Sequence, residues 1–279
     1  MTLVASLLTA ACNPLLKNDL NPSAETWLKP PRDTGPVTTM GRVGAINMPT
    51  ARMAEAGTIR VHSAYRNPYI MGGVAIQPLS RLSLNYRRVV DNRSRFDRGF
   101  RFSGGLDAKL LITTEAEFRP ALALGIDSIA GNGIFGSEYL VASKRIGDFD
   151  LSLGLGWGRL AGRGPLTNGL TLIGGHFDQP ETRNEADRGP DVWFTGDRVG
   201  LFGSVSYQTP WSLPWLDDTE QIRLIAEYDS DKYDREQRFD PGFDPGDIPV
   251  SLGFDTTLGA GFRGGVAVER FQTVSARLS

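Results

Sequence analysis

The chain has 279 residues, 33 of them glycine, and a formal net charge of -2. Glycine well above its usual share of roughly 7%, beside ordinary hydrophobic and charged fractions, excludes a disordered chain and points to many turns or kinked strands. The near-neutral balance without a long basic cluster excludes an electrostatic footprint for nucleic acid, and a single cysteine excludes an internal disulfide and a Cys-rich zinc site.

The first twelve residues, MTLVASLLTAAC, are apolar, uncharged and shorter than the ~20 residues a membrane helix needs, so they read as the tail of a signal peptide. Leu8 to Cys12 has the form of a bacterial lipobox, with Thr9 where Leu is usual, which makes Cys12 the expected lipidation site. Residues 13–41 carry Pro14, Pro22, Pro30, Pro31 and Pro36 without an apolar period and are expected to be an extended linker.

Residues 42–279 are expected to form one β domain. In TIRVHSAYR, Ile59, Val61 and Tyr65 oppose Arg60, His62 and Arg66; in RLSLNYRR, Leu82, Leu84 and Tyr86 oppose Ser83, Asn85 and Arg87. The segment EAEFRPALALGID sets Phe118, Pro120, Leu122, Leu124 and Ile126 against Glu115, Glu117, Arg119, Ala121, Ala123 and Asp127, with Pro120 marking a bulge. LSLGLGWGR sets Leu151, Leu153, Leu155 and Trp157 against Ser152 and three glycines, and the alternation runs on through Val199 to Gln208 and Thr273 to Leu278. About twelve such strands with intervening turn signals are expected. Strands of about 9 to 11 residues, with charges such as Lys109 and Arg223 on the polar face, favour a transmembrane-type antiparallel barrel; a soluble β-sandwich or lipocalin-like barrel would also alternate.

Between these strands lies Gly131-Asn132-Gly133-Ile134-Phe135-Gly136, the G-x-G-x-x-G spacing of a nucleotide-binding loop. Its flanks alternate, leave no room for a crossover helix and lack the acidic residue about 20 positions on, so an inter-strand turn is expected. His62 and His176 belong to no metal motif, and His62 alternates on the polar face as a wall residue; a Ser204–His62 hydrolase pair has no G-x-S-x-G elbow beside it. The run Asp229 to Asp247 departs from the EF-hand pattern at Tyr233, Asp234 and Asp240 and reads as a solvated loop, with a loosely held structural cation as the alternative. The connection from Ala161 to Pro190 is too long for a hairpin and suits a cover over the barrel mouth or an inward plug.

The stretches INMPTARMAEAGTIRV, QPLSRLSLNYR, GLDAKLLITTEAEFRPALALGIDSIAGNGIFGSEYLVASKR, FGSVSYQTPW, AEYDSDKYDRE and VAVERFQTVSARLS, in that order, resemble the YjbH-type outer-membrane lipoproteins associated with exopolysaccharide and capsule production. The resemblance covers nearly everything after the linker and is to the N-terminal half of longer members. It implies a Gram-negative outer-membrane barrel that supports exopolysaccharide production or export beside periplasmic and lipoprotein partners of the same secretion system, with no established catalytic residues; with the lipobox reading, the expectation is a non-catalytic lipoprotein anchored at Cys12. No cofactor or metal is expected. A periplasmic barrel binding glycan or partner protein, and a barrel hydrolase, are the alternatives.

Sugars are held by hydrogen bonds and ring stacking, so the polar-face charges Arg60, Arg87, Glu115, Glu117, Arg119 and Arg223 are the candidate lumen or glycan contacts; their structural role would be ion pairing across the wall. Trp157, Trp193, Trp211 and Trp215 are expected in interfacial girdles.

Overall fold

Alternating side chains leave a pleated backbone by opposite faces, so each period-two segment becomes a strand with one apolar and one polar side. The computed structural model describes residues 36–91, 101–131, 133–179, 190–212, 221–259 and 261–279. Its strands are β1 (Ile59–Arg66), β2 (Tyr69–Leu79), β3 (Leu82–Asp91), β4 (Arg101–Thr113), β5 (Ala121–Gly131), β6 (Ser137–Ile146), β7 (Phe149–Gly156), β8 (Leu166–Thr167), β9 (Arg198–Ser212), β10 (Gln221–Tyr228), β11 (Val250–Gly259), β12 (Phe262–Glu269) and β13 (Thr273–Leu278). The one α-helix among the described residues is α1 (Asp234–Phe239).

Neighbours pair antiparallel from β1 to β7, then β7 with β9, and β9 with β10 through to β13. β13 returns to β1 from Ser63↔Leu278 to Arg66↔Ser275. Twelve strands thus close a ring, the expected barrel, with β8 a two-residue addition to β9. At one mouth, here the terminal mouth, β1 begins and β13 stops; at the other, the loop mouth, lie the long connections 157–197 and 229–249. Gly131 to Gly136 joins β5 to β6, which pair antiparallel from Asp127↔Ser137 onward, so these glycines serve a turn and cradle no pyrophosphate.

The partition of side chains is inverted relative to a soluble protein. Ile59, Val61, Leu153, Leu224, Phe254 and Val274 face outward and are exposed, whereas Arg87, Lys109, Glu138, Glu227 and Arg277 point inward and are buried. Twelve strands enclose more room than the eight whose side chains fill a barrel by themselves. That room is taken by the chain itself: residues 36–51 are buried throughout, inside the lumen, folded by turns and the isolated bridges Val37↔Val43 and Gly44↔Pro49 without helix or strand. The last six residues of the expected linker, 36–41, therefore belong to this plug. All three buried apolar clusters contain plug residues: Met40 packs with Ala64, Tyr69 and Met71, Ala45 and Ile46 with Ile225 and Ala267, and Met48 and Ala51 with Tyr139 and Phe202.

Two expectations need correction. The alternation from Glu115 to Pro120 is not strand: these residues form the β4–β5 connection, β5 begins at Ala121, and Phe118 projects into the open at 92% exposure. Trp157 is not in an outer girdle, because β7 ends at Gly156 and the ring turns inward, where Nε1–H donates to Asn168 Oδ1 at 3.1 Å. Trp211 does face outward, Trp193 lies in the loop before β9, and Trp215 and Cys12 fall outside the described residues.

Wall glycines make room for inward rings. A Cβ on Gly154 would stand 2.2 Å from Cζ of Phe202, a buried ring in the cluster around Met48. Gly154→Ala is therefore expected to destabilise the barrel by about 1–3 kcal/mol through overpacking, seen as a lower urea midpoint than the unaltered protein.

Candidate functional site: a plugged lumen

The wall holds the plug mostly by its backbone, so the recognition depends on chain path more than on side-chain identity. At one side the Glu227 carboxylate accepts from three consecutive backbone N–H groups, Ile46 at 2.7 Å, Asn47 at 2.9 Å and Met48 at 2.9 Å. A buried carboxylate needs such donors, because desolvation without them costs far more than a hydrogen bond returns. Lys109 makes the complementary site, its ammonium donating to the carbonyls of Arg52 at 2.6 Å, Val43 at 3.0 Å and Thr50 at 3.1 Å. The Asn85 amide donates to Met40 O at 2.8 Å, Arg277 donates to Ala45 O, and Ala51 N–H donates to Ser143 Oγ at 2.8 Å.

Two plug arginines add ion pairs. Arg42 is paired with Asp127, which also accepts from the Ser137 hydroxyl, and its guanidinium lies over the Tyr139 ring. Arg52, the last plug residue, lies near the terminal mouth. Its Nε and Nη2 donate to Asp150 at 2.9 and 2.7 Å, and its Nη1 donates to Glu115 at 2.5 Å. Lys144 stands 3.3 Å from Glu115 and Arg145 3.6 Å from Asp150, so this clamp joins plug, β6, β7 and the β4–β5 connection. Burial works against the Glu115 charge, but the Arg145 N–H, Arg52 and Lys144 outweigh it and hold its carboxyl below the ordinary 4.5.

Gly41 shows how closely the plug is fitted. Its φ is +88°, which only glycine adopts without strain, and a Cβ there would lie 2.0 Å from His62 Nε2. His62 is a buried wall residue whose Nε2 lies 3.0 Å from Asn85 Oδ1. The ring thus lies between a wall amide and the plug, and Ser204 is not brought to it: Ser204 sits in register with Ser152 and Glu227, on β9.

The loop mouth carries a second layer of side chains between its described connections. Asp229 and Asp231, expected in a solvated loop, are buried: Arg270 lies 3.1 Å from Asp229, and Arg159 pairs with Asp231 and, at 2.6 Å, with Glu236. Tyr233 stands at the centre, with the Arg66, Arg159 and Arg270 guanidiniums against its ring. Burial raises the cost of the Glu236 charge, yet Arg159, the Tyr69 hydroxyl and Arg66 hold its pKa down at about 2. Arginines occupy the places a cation would take, and among the described residues no three His, Cys, Asp or Glu side chains gather as a metal site. The connection from Ala161 onward joins this cover, through Arg163 N–H to Ser230 O at 2.8 Å.

Of the six candidate glycan contacts, Arg60, Arg87 and Arg223 lie on lumen-facing positions of β1, β3 and β10. Arg87 is spent on Asp107 and Ser128, and Arg223 on Asp255. Glu115 is at the rim in the Arg52 clamp. Glu117 and Arg119 are not in the lumen: both are exposed in the β4–β5 connection, where a turn happens to continue the alternation. The sequence reading missed Lys109, Glu227, Arg42 and Arg52 as a set, because their partners lie 57 to 181 residues away along the chain.

Two outcomes follow for the plug. Glu227→Gln, which replaces an acceptor-only group by one that confronts three N–H donors with an amide, is expected to cost at least about 2 kcal/mol, the scale of charged hydrogen bonds, read as a lowered urea midpoint and faster cleavage within residues 36–52 by added protease. The second concerns pH. A depressed carboxyl contributes stability above its unfolded value and loses it as pH falls through the folded one. The thermal advantage of the unaltered protein over Glu115→Gln is thus expected to be constant above the ordinary 4.5 and to shrink below it, in paired melts across the acid range.

A family model described as exopolysaccharide biosynthesis protein YbjH matches residues 37–279, so the match begins inside the plug and takes in the whole barrel. The uncharacterized lipoprotein YjbH of Escherichia coli strain K12 is 34% identical over 205 residues, 70% of this chain. The matched stretch spans 28% of that relative's length. No solved structure matches. The chain belongs to the YjbH family of exopolysaccharide biosynthesis proteins.

Proposed function

We propose that this chain is a non-catalytic outer-membrane β-barrel lipoprotein, anchored at Cys12, that supports production or export of an exopolysaccharide beside periplasmic and lipoprotein partners. The observation that carries the membrane reading is the inverted barrel. A continuous belt of exposed Ile, Leu, Val, Phe and Tyr surrounds a charged interior, the arrangement a lipid surround stabilises and water does not. A water-filled periplasmic setting would leave that belt as an aggregation hazard. The similarity to a lipoprotein supports the anchor, and membership of the family supports the polysaccharide.

The plug refines this role. With residues 36–51 in the lumen and the Arg159–Asp231–Glu236 layer at one mouth, the resting barrel serves as a plugged scaffold. Glycan contact then falls to the rims, at Glu115 and Lys144 on one side and the 157–179 connection on the other. The absence of catalysis is supported by His62, whose ring bonds an amide and abuts the plug.

Membrane flotation and gel mobility test the location. The protein is expected to float with outer-membrane vesicles, to resist salt extraction and to migrate differently before and after boiling; release by salt with one mobility contradicts the reading. In a deletion strain that has lost its exopolysaccharide, the double variant His62→Ala, Ser204→Ala is expected to restore it.

A further inference from the structure

We propose that residues 36–52 are a gate, and that the clamp of Arg52 between Glu115 and Asp150 holds it shut. The proposal rests on the membrane reading above and goes beyond it, since a scaffold needs no moving part.

Three observations make the plug separable from its barrel. First, the barrel's backbone ladder closes without it. Every wall strand pairs with wall strands, from β13–β1 round to β9–β10, and the plug contributes only two bridges to itself. Withdrawing residues 36–52 leaves the ring intact. Second, the wall behind the plug is rich in Ser83, Asn85, Asp107, Lys109, Ser143 and Glu227, groups that water can satisfy. Most of the bonds lost on withdrawal run from wall side chains to plug backbone, with Arg42–Asp127 and Asn47–Glu269 as side-chain pairs, and bonds to the water that enters offset the greater part of each. The apolar contacts that oppose withdrawal are those of Met40, Ala45, Ile46, Met48 and Ala51, divided among three small clusters. Third, the chain between the plug and β1, residues 53–58, has no regular structure and is exposed at Glu55, Ala56 and Gly57. Gly57 and Thr58 are bonded to Gln77 of β2, so the free chain is residues 53–56, whose reach when extended is about 14 Å, slack enough for the plug to shift toward the terminal mouth.

The clamp is the release point because it is the plug's charged contact that solvent reaches. The side chains of Arg52, Lys144 and Arg145 retain 19%, 27% and 24% of their exposure, against 7% and 2% for Arg42 and Asp127 deeper in the lumen. Its position fits that role. Arg52 is where the chain leaves the lumen, and Glu115 and Asp150 grip it from two different wall elements. A carboxylate offered at this mouth would compete with those two for one guanidinium, so anionic polymer chemistry is the class that would loosen the gate.

The test uses the full chain in a Cys12→Ser background, reconstituted into dye-loaded phospholipid vesicles. Flotation of the vesicles reports insertion and dye efflux reports the lumen. The parent protein is expected to float and stay tight. The double variant Glu115→Gln, Asp150→Asn is expected to float and leak about tenfold faster, since the loss of a few kcal/mol of holding energy shifts a closed population on that scale or more. Adding Ala51→Cys and Ser143→Cys, neighbours joined by a hydrogen bond, is expected to stop the leak on oxidation and restore it on reduction. A clamp variant that floats and remains tight overturns the gate. So does a leak that the oxidised tether does not stop, because that leak comes from a loosened barrel, or a parent protein that leaks. If no version enters vesicles, the membrane reading fails and the gate with it.

Discussion

A carboxylate enclosed by a closed barrel must find donors inside it, and Glu227 finds three in a row on the backbone of Ile46, Asn47 and Met48. That constraint organises the lumen. Twelve strands place a ring of charged and polar side chains where a soluble protein would place its core, and each needs a partner. Part of the demand is met across the wall, as in Arg87 with Asp107 or Arg223 with Asp255. The rest is met by one irregular segment whose carbonyls go to Lys109 and Arg277 and whose N–H groups go to Glu227 and Ser143. The plug is irregular for the same reason: backbone groups engaged by the wall are not available for a helix or sheet of their own.

The two closures differ in kind. The plug is read mostly through its backbone, with Arg42–Asp127 as its one deep ion pair, whereas the cover at the loop mouth is built from side chains, with Tyr233 ringed by three arginines, Arg159 tied to Asp231 and Glu236, Arg270 to Asp229 and Arg66 to Glu269. Buried charge pairs of this type specify one arrangement more than they add stability, and breaking one leaves a costly unpaired charge. The cover is therefore the fixed end of the molecule, and the plug, tethered by a short exposed lead, is the end at which change is least costly.

Much of this was legible in the sequence, and the reasons differ by element. Period two identifies strands whenever one face is apolar, and β1, β3, β7 and β13 orient as Val61, Leu84, Leu153 and Val274 dictate. It misleads where a turn continues the alternation, as at Glu117 and Arg119, and where a strand stops one residue before a Trp, as at Gly156. The plug was not legible, because VTTMGRVGAINMPT carries the Gly, Pro, Thr and Asn of a surface loop and no period. Its burial is decided by side chains such as Glu227 and Arg277, 181 and 232 residues away from their plug partners. Residues 46–52 of the resemblance, INMPTAR, turn out to be plug, including the Arg52 of the clamp.

The account stands on the plug being in the lumen with its backbone engaged. Hydrogen–deuterium exchange at the amides of Ile46, Asn47 and Met48, measured on the membrane-embedded protein at neutral pH, tests that most directly. The account predicts protection comparable with the amides of the neighbouring β10 and β11. Exchange as rapid as at Glu55 and Ala56 in the exposed lead would contradict it.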